Sequence, residues 1–477
     1  MKREKQLAKN TLIVAIGKIC TQFASFLMLP LYTSYLSTEE YGSVDLLNTY
    51  TSLLIPICFF QMEQAIFRHL IDVRKDKESQ KKYISNAIAT VGAQSLIFSA
   101  IYILVNFLID SPYKHFLAAN VVVMAISNLL LQICRGLGDN LKYSIASVVS
   151  GITTILLNVL FIAGWHWGAY GMLTASLIGN VASILFVFFA KKIYRYFSPK
   201  YLSRATVKEL WKYSIPLIPN QLSWWIINAS DRTVIYVALG EAFNGIYSAA
   251  NKFSSIITTV FNIFNLTWAE SAALHIRDGD ADEFFTKITA NTVKLFSSLC
   301  LGVIACMPFV FPILIRGEKF ADAYYQIPIL LLSTIFSIFV SLMGSIYVAL
   351  KKSKEIAKTS TYAAIINLAV NIALVRFIGL YAASISTLVA FLAMSIYRYV
   401  DVQKYVKIKL NKGMILGMAL FASVVCASYY LNILWLNVIT LAFAVIVAIV
   451  LNFGFLSSIY DIAIKKMFSH LRSKNDK

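Results

Sequence analysis

Apolar runs of twenty residues or more, nearly free of charge, recur along the whole chain, and the positive charge collects in every second connection between them. A helix of about 20 such residues spans the hydrocarbon core of a bilayer. In lipid, a spanning segment must satisfy its own backbone polar groups, which a helix does. The runs fall at 10–36, 43–67, 83–109, 114–134, 143–164, 169–190, 213–239, 246–273, 286–313, 324–350, 359–378, 380–400, 412–432 and 434–456. They predict an all-α integral membrane protein with about fourteen spans. If the connections alternate from the N-terminus, 35 of the 43 Lys and Arg residues lie on the N-terminal side. Only four lie opposite (Lys114, Arg316, Lys319, Arg376), and four sit within spans (Lys18, Arg232, Lys252, Lys294). The positive-inside rule makes the basic side cytoplasmic. Both termini are therefore expected in the cytoplasm, with the spans in a cell membrane.

Composition excludes the main alternatives. Hydrophobic residues make up 58% and charged residues 14%, against about 25% charged in soluble domains. A net charge of +19 would suggest nucleic acid if it formed one basic surface, but here it is divided among short connections. The basic N-terminus (Lys2, Arg3, Lys5, Lys9) precedes a run too long for a signal peptide's apolar region, so that run is read as the first span. The six cysteines lie in or beside apolar runs without a CxxC pair or a His cluster. They read as small core residues, not as disulfides or metal ligands. Neither a Walker loop, GxSxG nor HExxH occurs, and Gly-Leu-Gly at 136–138 reads as a turn. No enzymatic activity, metal or cofactor is expected.

The longest basic connection, 191–212, separates six spans from the rest. It reads as a solvated hinge, or as a surface attracted to anionic lipid headgroups. The halves on either side resemble each other. "YLSTEEYGSVDLLNTYTSLL" (35–54) aligns without gaps on "ALGEAFNGIYSAANKFSSII" (238–257) at an offset of 203, so that Leu36 matches Leu239, Gly42 matches Gly245 and Ser52 matches Ser255. Such parallel repeats predict two lobes about an axis along the membrane normal: 1–190 and 213–400, joined by the linker, with two further spans and a tail in 401–477.

Charged residues within spans should face protein or water, since each costs roughly 2.5–3.5 kcal/mol near mid-membrane. Lys18, Arg232, Lys252 and Lys294 are therefore candidate cations for binding an anionic group, with Gln22, Asn228, Asp231, Asn251 and Ser255 as polar lining. The structural alternative pins the seventh and eighth spans together by Asp231 with Arg232 or Lys252. Glu63 and Arg68 form a candidate gate pair, or simply lie at the interface. Trp224, Trp225 and Trp268 suit sugar stacking or ordinary packing. Pro216 and Pro219 are expected to kink the start of the seventh span.

The opening "KNTLIVAIGKICTQFASFLMLPLYTSYLSTEEYG" and the later "NASDRTVIYVALGEAFNGIYSAANKF" resemble the bacterial polysaccharide repeat-unit flippases (Wzx-type) of the multidrug/oligosaccharidyl-lipid/polysaccharide exporter superfamily. The resemblance covers essentially the whole chain and implies a MATE-like fold. It also implies transfer of an undecaprenyl-pyrophosphate-linked oligosaccharide, for capsule, O-antigen or another surface polysaccharide, from the inner to the outer leaflet by alternating access. The implied partners are the polyprenyl-linked glycan, the bilayer, and the polymerase and glycosyltransferases of the pathway, with no nucleic acid. Lipid II or teichoic-acid-precursor flipping presents similar chemistry. Drug or cation antiport fits less well, because the spans hold more Lys and Arg than Asp and Glu. A scaffold has no need of four intramembrane cations, and a glycosyltransferase lacks an acidic loop pair.

Overall fold

The computed structural model of the 477-residue chain describes residues 23–454 apart from 24, 109 and 110, together with 457. All regular structure among them is helical. The first half contains α1 (Leu29–Tyr35), α2 (Thr38–Cys58), α3 (Met62–Asp72), α4 (Lys77–Val105), α5 (Lys114–Gly136), α6 (Asn140–Asn158) and α7 (Gly168–Ala190). The short helix α8 (Arg204–Ser214) lies in the central linker. Then come α9 (Ile218–Leu239), α10 (Glu241–His275), α11 (Ala281–Leu314), α12 (Ala323–Ala349), α13 (Ser353–Ile378), α14 (Tyr381–Val402), α15 (Lys412–Leu431) and α16 (Leu434–Leu451).

Ten described helices are long and apolar enough to cross a membrane, or eleven if α2 and α3 form one bent span. Of the fourteen runs expected, the first lies largely outside the described residues. The helices α9 and α10 are long enough but too polar to pass, and these two carry Arg232 and Lys252.

The polarity is that of a protein solvated by lipid. Leu96 is 74% exposed and Phe377 84%, while Ser85, Asn158, Asn367 and Asn371 are almost wholly buried. Lipid solvates leucine as well as a protein core does, so helix association draws on close packing and polar contacts instead. Many hydroxyls turn back onto their own helix, as when Thr51 Oγ1 donates to the Leu47 carbonyl (2.8 Å) and Ser95 Oγ to the Val91 carbonyl (2.8 Å). Such bonds satisfy a hydroxyl where no water is available.

Helix ends are set by local chemistry. Ser37 and Glu40 form a reciprocal capping box at the start of α2. Asp76 caps α4 through the backbone N–H groups of Glu78 and Ser79, and Asp139 caps α6 through that of Lys142. The α2–α3 span bends by 56° where Phe60 and Gln61 take left-handed backbone conformations. Gln61 Nε2 donates to the Leu217 carbonyl there (3.3 Å). The expected proline kink is instead a helix boundary. Pro216 lies in a 3₁₀ turn after α8, and Pro219 occupies the first turn of α9, where its missing N–H costs nothing.

Contacts divide the chain into two compact units. One comprises Met1–Lys252, Leu314–Tyr324 and Ser360–Ala390, and the other Phe253–Ile313, Tyr325–Thr359 and Phe391–Lys477. This grouping does not follow the lobe boundaries read from the sequence, because α9 and the first part of α10 pack on α2.

Candidate functional site

In the first unit, the capping box starts α2 beside the first turns of α10. A methyl group on Gly42 would collide with the Glu241 carbonyl, and one on Gly245 with the Thr38 carbonyl. Thr38 and Glu241, like Gly42 and Gly245, are 203 residues apart. Repeat-related residues therefore exchange roles across the crossing, as a local two-fold axis requires. Only glycine permits so close an approach of two backbones. Asn244 Nδ2 donates to the Gly42 carbonyl (2.8 Å) and Ser43 Oγ to Glu241 (2.8 Å), two further ties across the crossing.

One turn further along, Arg232 Nε donates to Asp45 Oδ2 at 2.7 Å, joining α9 to α2. Both side chains are less than a fifth exposed. Arg232 Nη1 also donates to the Asn228 carbonyl (2.9 Å), and the guanidinium lies over the Tyr247 ring (5.8 Å). Lys252 is within electrostatic reach of Asp45 and Arg232. Trp225 Nε1 donates to the Thr49 carbonyl and to Ser52 Oγ (both 3.1 Å), a second bridge from α9 to α2.

Asp231 points elsewhere. It is buried and accepts from Asn371 Nδ2 (2.9 Å), Tyr247 Oη (2.9 Å) and Thr387 Oγ1 (2.6 Å). Successive helical residues point about 100° apart, so Asp231 and Arg232 face different neighbours. The expected Asp231 pairing with Arg232 or Lys252 is thus replaced by Asp45 with Arg232. Counting both carboxylates, Asp45, Asp231, Arg232 and Lys252 balance formally, so the excess of cations read from the sequence is absent here.

The second unit contains a cavity of about 620 Å³ lined by Lys287, Asn291, Thr292, Lys294, Asn452 and apolar neighbours, with no carboxylate among the described lining residues. Asn452 Nδ2 donates to Ser298 Oγ (3.2 Å), tying the end of α16 to α11. This arrangement can neutralise an anion with two ammonium groups while amides and a hydroxyl supply further hydrogen bonds.

Of the residues expected to form one cationic cavity, Arg232 and Lys252 come together in the first unit, and Lys294 lines the cavity of the second. Lys18 and Gln22 lie outside the described residues. Asn228 supports Arg232 through its carbonyl; Asn251 is half-buried in the first unit and Ser255 in the second. The gate pair is not formed, because Arg68 binds Asp72 (2.6 Å) on its own helix, with Glu63 more than a full turn away. Trp268 is buried and donates to the Leu342 carbonyl (3.4 Å), so it packs the core and does not present a sugar platform. Sequence reasoning missed the Asp45 pairing, the donors Tyr247, Asn371 and Thr387, and Lys287. It also left Arg398 out of the cations within spans. Arg398 is 1% exposed, donating to the Val340 carbonyl and to Thr359 Oγ1. Polar residues within apolar runs were the available signal for Asn371 and Thr387.

A family model described as "Polysaccharide biosynthesis protein" matches residues 7–268. The chain belongs to this family. The matched stretch includes the capping box, the glycine crossing, Asp45, Arg232 and Lys252; the Lys294 cavity lies mostly beyond it. A protein of the Lsg locus of Haemophilus influenzae (strain ATCC 51907 / DSM 11121 / KW20 / Rd) is 21% identical over 376 residues, covering 77% of this chain and 90% of the relative. Among solved structures, the lipid II flippase MurJ in an inward closed conformation superimposes with a TM-score of 0.69 at 16% identity, covering 95% of this chain and 100% of that one. A multidrug resistance MATE family transporter of the MOP superfamily, in an inward-facing conformation, gives 0.67 at 16% identity, covering 82% and 98%. At these identities the likeness is one of fold. The chain is an all-α, multi-pass membrane protein of MATE-like architecture.

Proposed function

We propose that this protein carries an undecaprenyl-pyrophosphate-linked oligosaccharide from the cytoplasmic to the outer leaflet of a bacterial plasma membrane, with the basic face and both termini in the cytoplasm. The observation that carries this reading is the cavity lined by Lys287 and Lys294, with no carboxylate among the described residues that line it. A pyrophosphate needs cations, a glycan needs amides and hydroxyls, and a polyprenyl tail can remain in lipid. Lys287 lies in the second turn of α11, after Asp282 and Glu283, at the end that the alternation of connections puts on the cytoplasmic side, where a headgroup from that leaflet arrives first. Family membership supports the choice of a glycan as cargo.

Arg232 then acts as an exchange point. Its bond to Asp45 is one charge-assisted contact, and a phosphate oxygen competes for the same donor. A headgroup that takes Arg232 leaves Asp45 to Lys252 and removes one of the ties between α9 and α2. Alternating access follows, with two six-helix lobes, 1–190 and 213–400, rocking about the linker. The polymerase and glycosyltransferases of the pathway are the partners in this reading. The MurJ likeness favours a second reading, a lipid II or teichoic-acid precursor as cargo, with the same phosphate chemistry.

Deletion of the gene in its host tests the proposal. The expected result is loss of a surface polysaccharide and accumulation of its lipid-linked repeat unit on the cytoplasmic leaflet. Normal surface polymer in a strain without a redundant flippase overturns it. Arrest of cell-wall synthesis in place of polymer loss selects the second reading.

A further inference from the structure

One face of α4 borders an open apolar groove of about 1170 Å³ within the first unit. Asn86, Ala89, Thr90, Ala93, Ile97 and Ile101 follow one another along it at helical spacing, continuing to Val105. From Asn86 to Val105 is about 29 Å at helical rise, so the groove runs through most of a bilayer's apolar thickness. Its basic-face half has the denser walls: Leu54, Ile57, Cys58 and Phe60 from the α2 side, and Leu202, Val207 and Trp211 from the linker. The mouth of that half carries Arg204 and Lys208, one helical turn apart on α8. Glu209, the linker's one carboxylate, accepts from Tyr83 Oη (2.9 Å) and is absent from the lining.

We propose that this groove is a binding site for an anionic phospholipid of the basic-face leaflet. The phosphate is held by Arg204 and Lys208, and an acyl chain lies along α4 beneath α8. Charge complementarity selects the occupant. The linker segment 191–212 has seven Lys and Arg residues against one Glu, and two of these cations stand at the entrance to an apolar slot. A zwitterionic lipid fits the slot equally well but gains less at its mouth. The trapped lipid fills the space between the linker helix and α2–α4, so it couples leaflet composition to the hinge. This site is separate from the Lys287–Lys294 cavity and does not depend on which cargo is carried.

The test uses the full-length protein in nanodiscs of phosphatidylcholine doped with phosphatidylglycerol, with bound lipid counted by native mass spectrometry after gentle release. Two cations at about fivefold each give an expected preference for phosphatidylglycerol of roughly twenty-five-fold. In Arg204→Ala/Lys208→Ala the preference falls below about threefold while melting in pure phosphatidylcholine is unchanged. Ala93→Phe, which fills the slot at an exposed position, lowers retention of both lipids and leaves the cations in place. Equal preference in wild type and the double variant overturns the proposal. So does a photocrosslinker at Ala93 that captures residues 1–22, a second copy of the chain or a polyprenyl phosphate instead of a phospholipid.

Discussion

Arg232 was legible because a guanidinium in an apolar run has no cheap place to go. Its partner was not, because Asp45 lies 187 residues earlier and nothing local specifies which of several carboxylates it meets. Arg398 was left out of the intramembrane cations for the opposite reason. It stands near the end of an apolar run, where a long side chain ordinarily reaches the surface, yet here α12 and α13 supply buried acceptors. The Asp45–Arg232 pair makes a stability prediction. Asp45→Ala leaves the buried Arg232 without its partner and should cost about 3–5 kcal/mol, whereas Arg232→Ala leaves Asp45 to Lys252 and should cost less. The double variant should cost less than the sum by about 1–3 kcal/mol, read as melting midpoints in detergent. Strict additivity would show that the pair is not formed. Lys294→Ala removes a cation from a cavity wall and leaves no orphaned partner. It should change the melting midpoint little and slow transport tenfold or more, measured as surface polymer produced per unit of membrane-inserted protein.

The helices themselves were readable from hydropathy and charge, and the start of α2 from its capping box. The break between α2 and α3 was not, because Phe60 and Gln61 are unusual residues for a left-handed turn and only the surrounding packing holds them there. Proline was visible, but whether it kinks a helix or begins one depends on where α8 ends. The glycine crossing predicts that Gly42→Ala and Gly245→Ala are each destabilising by about 1–3 kcal/mol through overpacking. Cysteines placed at Thr38 and Glu241 should crosslink readily in wild-type background and poorly in either alanine variant. Unchanged crosslinking would show that the two backbones do not meet at these glycines. At the turn between α5 and α6, burial works against the charge of Asp139, but the ammonium groups of Lys191 and Lys142 outweigh it and hold the carboxyl below its usual range. A carboxylate lowered in this way stabilises the fold above its unfolded pKa and loses that contribution as pH falls through the folded value. Asp139→Ala should therefore lower stability by about 0.5–2 kcal/mol, as lost N-caps do. The difference should be constant from about pH 5 to 8 and shrink below about pH 4. Melting curves of both proteins across that range check the sign.

At the scale of the molecule, the repeat was legible because residues that meet across a two-fold axis face the same constraint twice. Gly42 and Gly245 appear in register at an offset of 203, and the structure puts them in contact. How the helices group was not legible, since hydropathy says which segments enter lipid and nothing about which of them touch. The cation-lined cavity was half legible: Lys294 stood out within a span, whereas Lys287 looked like one more basic residue at a helix start. In the proposed function, Lys287 and Lys294 receive the phosphate of a lipid-linked glycan that the protein then moves across the bilayer. Its most direct test is a proteoliposome assay with a fluorescent polyprenyl-pyrophosphate oligosaccharide on one leaflet, scored by quenching from the opposite side. If this assignment holds, the wild-type protein transfers the lipid at a rate at least tenfold above that of Lys287→Ala/Lys294→Ala at equal reconstitution. Equal rates for the two proteins, or no transfer above protein-free vesicles, would contradict it.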